Sequence, residues 1–316
     1  MKDYIQTAVI FIIFMGVIPC LAFIGGKYDA EAVSAKTSSD MEVGIYFTDK
    51  EKLEVYSLED YLIGAVMAQM PADFEDEALK AQAVLARTYI VRRYQAEQQS
   101  PTEALHGGLI SDDTSLYQDF FTEKQAKKFY GDDYKNAYKK VKAAVQSTAE
   151  ILTYKDEPII AAFHAVSSGY TESAETAWGQ DIPYLQAVKS KSDLKVEGAE
   201  TEITMSSDQL KEKLADYELS KDPEKWITLT ANERGYITAV KVVTKEISVT
   251  EFTKLMGIPS PCFEMDYADD EFIFSSLGYG HLVGMSQYGA NALAKDGKDY
   301  KDILMHYYTD CKLERI

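Results

Sequence analysis

Leu58-Glu59-Asp60-Tyr61-Leu62-Ile63-Gly64-Ala65-Val66-Met67-Ala68-Gln69-Met70-Pro71 is followed closely by Glu77-Ala78-Leu79-Lys80-Ala81-Gln82-Ala83-Val84-Leu85-Ala86-Arg87-Thr88-Tyr89. Together they predict two successive helices. Ser57 supplies an N-cap for the first, and Glu59 and Asp60 in its first turn complement the helix dipole. Leu58, Leu62, Ala65, Val66 and Gln69 fall on one stripe at helical spacing, with Gln69 as its single polar member in the last turn before Pro71. A polar end on a buried stripe needs a partner or a pocket. The plainest partner is a neighbouring loop carbonyl. The second helix, from about residue 75 to 94, carries Ala78, Ala81, Ala83 and Ala86, small enough for other elements to approach closely, which predicts a central helix packed on several sides. Arg87, Arg92 and Arg93 near its end read as solvated or capping side chains.

Outward from this pair, Glu42 to Phe47 and Lys52 to Tyr56 read as strands across a charged turn. Helical patterns cover Glu123 to Tyr130 and Tyr134 to Thr148, and the chain becomes strand-like at Ile151 to Tyr154 and Pro158 to Phe163. Residues 190 to 225 are strongly charged and read as an exposed helical excursion. Trp226 to Thr230 and Tyr236 to Val243 form a hairpin about Glu233-Arg234-Gly235, Phe272 to Phe274 is a short strand, and Asn291 to Tyr308 is helical with a break near Gly297. The fold class is α+β: one mixed domain with an alanine-rich central helix, short strands and that excursion. It spans 41–316, behind a linker (27–40) and an apolar segment within 1–26. That segment, Ala8 to Ile24, reads as an uncleaved membrane anchor in preference to a cleaved signal. Lys2 before it and acidic residues after it place the body outside the cytoplasm, at the cell membrane.

With a formal net charge of −18, the chain is a poor ligand for nucleic acid and gains nothing from anionic lipids or wall polymers. A glycan partner would have to be held by hydrogen bonds and stacking. The 22 tyrosines suit such a surface and equally suit packing of β structure. Three cysteines, with Cys20 inside the apolar segment, exclude a disulfide-dense scaffold and leave open whether Cys262 and Cys311 pair. The four histidines, His106, His164, His281 and His306, are far apart in sequence and form no metal pattern.

Two glycine- and serine-rich turns follow strands. One is Phe163-His164-Ala165-Val166-Ser167-Ser168-Gly169-Tyr170-Thr171-Glu172-Ser173; the other is Gly278-Tyr279-Gly280-His281-Leu282-Val283-Gly284-Met285-Ser286-Gln287-Tyr288-Gly289. Their glycines let backbone amides approach a ligand, and His164, Ser167, Ser168, Tyr170, His281, Ser286 and Gln287 supply donors and acceptors for sugar hydroxyls, with Gly169 and Gly280 at the turns. Gly284-Met285-Ser286-Gln287-Tyr288 approaches a nucleophile elbow, but Tyr288 stands where the final glycine belongs, so a helix-start serine that caps backbone amides is the stronger reading of Ser286.

These three blocks, in this order, resemble the stage II sporulation protein D family of peptidoglycan lytic transglycosylases. In that family the residue before the Met-Pro pair is usually Glu, the proposed acid/base, and the second glycine motif has Gly where Leu282 stands. The resemblance implies action on, or binding to, peptidoglycan glycan strands stripped of stem peptides. Family enzymes cleave between N-acetylmuramic acid and N-acetylglucosamine without water: one acid protonates the leaving oxygen, then as base lets the muramic acid hydroxyl close a 1,6-anhydro ring. Gln69 keeps nearly the shape of Glu but cannot donate and retake a proton at neutral pH. Either the chain binds glycan without cleaving it, or the amide disarms the site, or another acid serves: Glu172 first, then Asp73 or Glu75, with Glu59 and Asp60 disfavoured because they lie more than two helical turns from Gln69. Zinc-binding relatives carry a Cys/His cluster in the region of Ser111 to Gln118, absent here, so no cofactor is expected. Expected partners are glycan strands, the membrane, and a cell-wall amidase or engulfment complex; a protein that only recruits such a complex is the competing class.

Overall fold

Alternation in Glu42–Phe47 buries Val43, Ile45 and Phe47 on one face, and this strand pairs antiparallel with Lys52–Ser57 and parallel with Ile110–Ser111. The computed structural model describes residues 41–316, so the segments read as anchor and linker lie outside the described residues. Among the described residues no helix is long and apolar enough to cross a membrane. The protein is α+β, but it divides into two compact units where the sequence reads as one body. The first comprises the described chain up to residue 162 together with 290–316, and the second is 163–289.

In the first unit the Ser57 hydroxyl accepts from the Asp60 backbone N–H at 3.1 Å and starts the helix Leu58–Gln69. The long helix Asp76–Gln99 has alanines 78, 81, 83 and 86 fully buried, and the helices Leu58–Gln69, Tyr134–Gln146 and Tyr300–Tyr307 and the strand Glu150–Tyr154 pack around it. Small side chains make it the axis of the unit, as expected. Of the two roles expected for Arg87 and Arg93, solvated or capping, burial of both excludes the first and Arg87 takes the second. Arg87 donates to the carbonyls of Val145 and Glu150, closing the end of a neighbouring helix, while Arg93 pairs with Glu97 and donates to the Leu109 carbonyl. Both guanidiniums are compatible with burial because carbonyl and carboxylate oxygens meet their donors. A second antiparallel sheet joins Lys312–Arg315, Glu150–Tyr154 and Glu157–Pro158. The expected strand from Pro158 to Phe163 forms pairs only at its ends, at Glu157–Pro158 and Phe163–His164. The C-terminal helices Gln287–Lys295 and Tyr300–Tyr307 are separated at Gly297, whose φ of +84° no ordinary side chain favours.

The second unit contains two three-stranded antiparallel sheets and the short parallel pair Phe163–His164 with Met285–Ser286. Ile227–Ala231, Ile237–Val242 and Lys245–Ile247 form one sheet, with Asn232 at the hairpin turn accepting from the N–H groups of Arg234 and Tyr236. Phe263–Ala268, Glu271–Leu277 and Glu200–Ser206 form the other. Trp226, Phe252, Phe263, Phe272 and Phe274 make a common core with Leu210 and Leu214. Residues 190–225 are therefore no exposed excursion. They contribute the strand Glu200–Ser206 and the helix Ser207–Lys213, and apart from buried Asp193 the charges that suggested exposure sit on the outer faces of elements whose inner faces are apolar.

Candidate functional site

The first unit gathers its polar groups around a glycine in mid-helix. A Cβ at Gly64 would lie 2.3 Å from the Phe120 ring and 2.5 Å from the Phe121 carbonyl, so only glycine lets the segment 118–121 cross the helix there. The Phe121 N–H donates to the Gly64 carbonyl at 3.1 Å, and the Phe120 ring stacks on Tyr61 with centroids 5.7 Å apart. One turn further on, this crossing brings residue 119 against Gln69.

Gln69 is 4% exposed and sits in a buried relay of amides. Gln82 Nε2 donates to Gln69 Oε1 at 2.8 Å, and Gln69 Nε2 donates to the Asp119 carbonyl at 2.9 Å. That carbonyl is the loop partner a buried amide at this position calls for. Gln69 thus fixes the backbone of Asp119. The Asp119 carboxyl accepts from the Phe120 N–H through Oδ1 at 2.8 Å, while Oδ2 is buried with no hydrogen-bond partner among the described residues. Burial pushes this carboxyl up to about 6, only partly offset by the Phe120 N–H. Asp119 lines a cavity of about 570 Å³ whose wall includes Phe47, Phe121, Phe129, Gln118 and Lys128. Aromatic faces with a few convergent polar groups suit a sugar chain. Ser111 and Gln118 line the same cavity and offer a hydroxyl and an amide.

The second unit brings the two glycine-rich turns together. Phe163–His164 pairs with Met285–Ser286, and Val166 bridges to Tyr279. A Cβ at Gly280, whose φ is +93°, would come within 3.0 Å of the His164 Cβ, so glycine permits the approach. Val283 clamps both imidazoles. Its N–H donates to His281 Nδ1 at 3.0 Å and its carbonyl accepts from His164 Nδ1 at 3.2 Å. This leaves His281 with a proton on Nε2 and His164 with a lone pair on Nε2, and neither Nε2 atom has a hydrogen-bond partner among the described residues. The Trp178 ring lies 5.5 Å from that of His281. Burial holds His164 down to about 3, helped by the His281 charge, and burial holds His281 down to about 4, so both are neutral at pH 7.

Ser167 and Ser286 are built into the scaffold. The Ser167 N–H donates to buried Asp193 at 2.8 Å, and the Ser167 hydroxyl accepts from the Gly169 N–H. Ser286 accepts from the Gly289 N–H at 3.1 Å and donates to the Ala165 carbonyl, which makes it the cap of the helix Gln287–Lys295. Tyr170 bridges to Lys189, Ser168 lies beside Cys262, and Gln287 is buried. Glu172 is 2% exposed with both oxygens occupied: Arg234 forms an ion pair with it, and Asn232 and the Ser173 N–H donate to it. It is an anchor for the hairpin turn and not an available acid. Leu282 takes φ of +64° while buried, a backbone conformation that suits the glycine of the related motif, and its carbonyl accepts from the Glu172 N–H. Cys262 and Cys311 are free buried thiols.

Sequence reading missed Asp119, Gln82 and Asp193. The one signal for Asp119 was Gly64, since a lone glycine inside an apolar helix costs about 1 kcal/mol and marks a close approach.

A family model described as SpoIID, Stage II sporulation protein, matches residues 46–154. Over 274 residues the chain is 38% identical to Stage II sporulation protein D of Bacillus subtilis (strain 168), covering 86% of this chain and 78% of that protein. It is 39% identical over 272 residues to the Bacillus amyloliquefaciens protein of the same name, covering 85% and 78%. Similarity also extends to the amidase enhancer of Bacillus subtilis (strain 168), at 26% identity over 307 residues, covering 78% of this chain and 39% of that protein.

Proposed function

Because this chain belongs to the stage II sporulation protein D family, we propose that it acts on the denuded glycan strand of peptidoglycan during sporulation, seating the strand in the cavity beside Gln69. The observation that carries this reading is the placement of the family-motif helix. Its last polar residue, Gln69, positions a loop whose Gln118 and Asp119 line an aromatic-walled cavity of about 570 Å³. Sugar rings stack on Phe121 and Phe129, and hydroxyls exchange hydrogen bonds with Gln118 and Gln125. Such contacts need no help from the net charge of −18. Residues 1–26 hold the body outside the cytoplasmic membrane, next to the wall. Strand cleavage to 1,6-anhydro ends is the reaction this family placement supports, and Gln69 does not carry its proton transfer.

Binding is tested by co-sedimentation of the purified chain with denuded glycan strands. Phe129→Ala removes one stacking face and should weaken binding about threefold to tenfold, in line with about 0.5–1.5 kcal/mol for an aromatic contact. No retention of the natural protein on the strands would refute the reading. A second reading, in which the chain stimulates a cell-wall amidase, is favoured by its similarity to an amidase enhancer. It predicts faster stem-peptide release by an added amidase, with or without Phe129.

A further inference from the structure

We propose that Asp119 is the proton-donating group of this site, replacing the carboxyl that position 69 lacks. The inference rests on the reading that the cavity holds a glycan strand, and deepens it.

Four observations converge on this carboxyl. Asp119 lines the cavity, whereas Gln69 lies behind it with its amide committed to Gln82 and to the Asp119 backbone. One carboxyl oxygen takes a single backbone N–H, and the other has no hydrogen-bond partner among the described residues. An ionised carboxylate would ordinarily be surrounded by donors, whereas a protonated one needs an acceptor to give its hydrogen to. A glycosidic oxygen in the cavity is such an acceptor once rotation of the Asp119 side chain turns the buried oxygen toward it. Among the described residues no salt bridge reaches Asp119, unlike Glu172, whose two oxygens are filled by Arg234, Asn232 and Ser173. Burial also keeps the carboxyl protonated well above the ordinary carboxylate range. The relay from Gln82 through Gln69 to the Asp119 carbonyl then acts as a positioning device: it holds the residue that does the chemistry.

The step balances within the sugar and one side chain. Protonated Asp119 gives its hydrogen to O4, the oxygen joining C1 of N-acetylmuramic acid to C4 of N-acetylglucosamine. The C1–O bond breaks with its electron pair on that oxygen, and the N-acetylglucosamine leaves as a hydroxyl. The Asp119 carboxylate then takes the proton from the muramic acid O6 as O6 bonds to C1. The anhydro ring closes, the acid is regenerated, and neither water nor a redox partner enters.

The test uses the purified full-length chain and denuded glycan strands, with products read by mass spectrometry and binding by co-sedimentation. The natural protein should release 1,6-anhydro fragments. Asp119→Asn should lower the rate about 10²- to 10⁴-fold, the usual worth of a positioned acid, with binding changed less than about threefold. Asp119→Glu should recover part of the rate, and thermal unfolding of each variant confirms that it is folded. Cleavage by a folded Asp119→Asn at the natural rate overturns the assignment and leaves strand cleavage intact. Tight binding without fragment release by the natural protein also overturns it, leaving the binding reading standing. Absence of binding removes the binding reading, and this assignment with it.

Discussion

At position 69 the side chain meets one donor, Gln82 Nε2, and one firm acceptor, the Asp119 carbonyl. An amide satisfies both at once; a carboxylate satisfies only the first and sets a negative charge against a carbonyl oxygen. Gln69→Glu should therefore destabilise the protein at pH 7 by about 1–3 kcal/mol, the range for a buried polar group left facing the wrong partner. Most of that loss should disappear at pH 4–5, where the new carboxyl is protonated and donates to the carbonyl. Urea denaturation at the two pH values checks this, and equal losses at both would refute it. Asp119 has its own pH signature. Its folded value near 6 lies above the ordinary 3.8, so between those values the folded protein keeps a proton that the unfolded chain has released. Stability from this group is thus greatest below about 4 and falls as pH rises to about 6. Asp119→Asn should remove the slope, so that the variant gains on the natural protein across that window. Asp112 and Lys128 face the same cavity and are common to both proteins, so the comparison isolates Asp119.

Helix Leu58–Gln69 was legible from its cap, its stripe and its proline stop because those signals lie within a dozen residues. The crossing of segment 118–121 was not, since nothing local to Gln118-Asp119-Phe120-Phe121 says which helix it meets. Gly64→Ala tests that crossing directly. The added methyl would overlap the Phe120 ring and the Phe121 carbonyl, so the segment must move. The expected cost is about 1–3 kcal/mol, typical of overpacking, together with lost retention on glycan strands as residue 119 shifts. Unchanged stability and binding would mean that the crossing does not position the site. The buried arginines teach the same lesson. Arg87 and Arg93 look like surface charges in sequence, and only the arrival of carbonyls from residues 109, 145 and 150 makes their burial tolerable.

Within the second unit, His164 and His281 are held neutral by burial at about 3 and about 4, against 6.5 in an unfolded chain. Between those values the unfolded unit binds more protons than the folded one, so the unit is fully stabilised above about 6.5 and weakens as pH falls toward 4. Both tryptophans, Trp178 and Trp226, belong to this unit, so fluorescence reports its unfolding without interference from the first. Acid unfolding should begin below pH 6, and His281→Gln should flatten the profile; an unaltered profile would refute the assignment. At the scale of the whole chain, the sequence alone determined the α+β class, the helix pair around Gln69, the capping role of Ser286 and the three-motif resemblance. Each of these rests on short-range periodicity, on capping geometry or on residue identity. Only the tertiary structure decided that residues 190–225 lend Met205, Leu210 and Leu214 to the core, that Glu172 is an ion-paired anchor, and that Asp119 lines the cavity with an oxygen unpaired among the described residues. Burial and hydrogen-bond satisfaction are properties of contacts between residues distant in the chain, and those contacts exist only once it is folded.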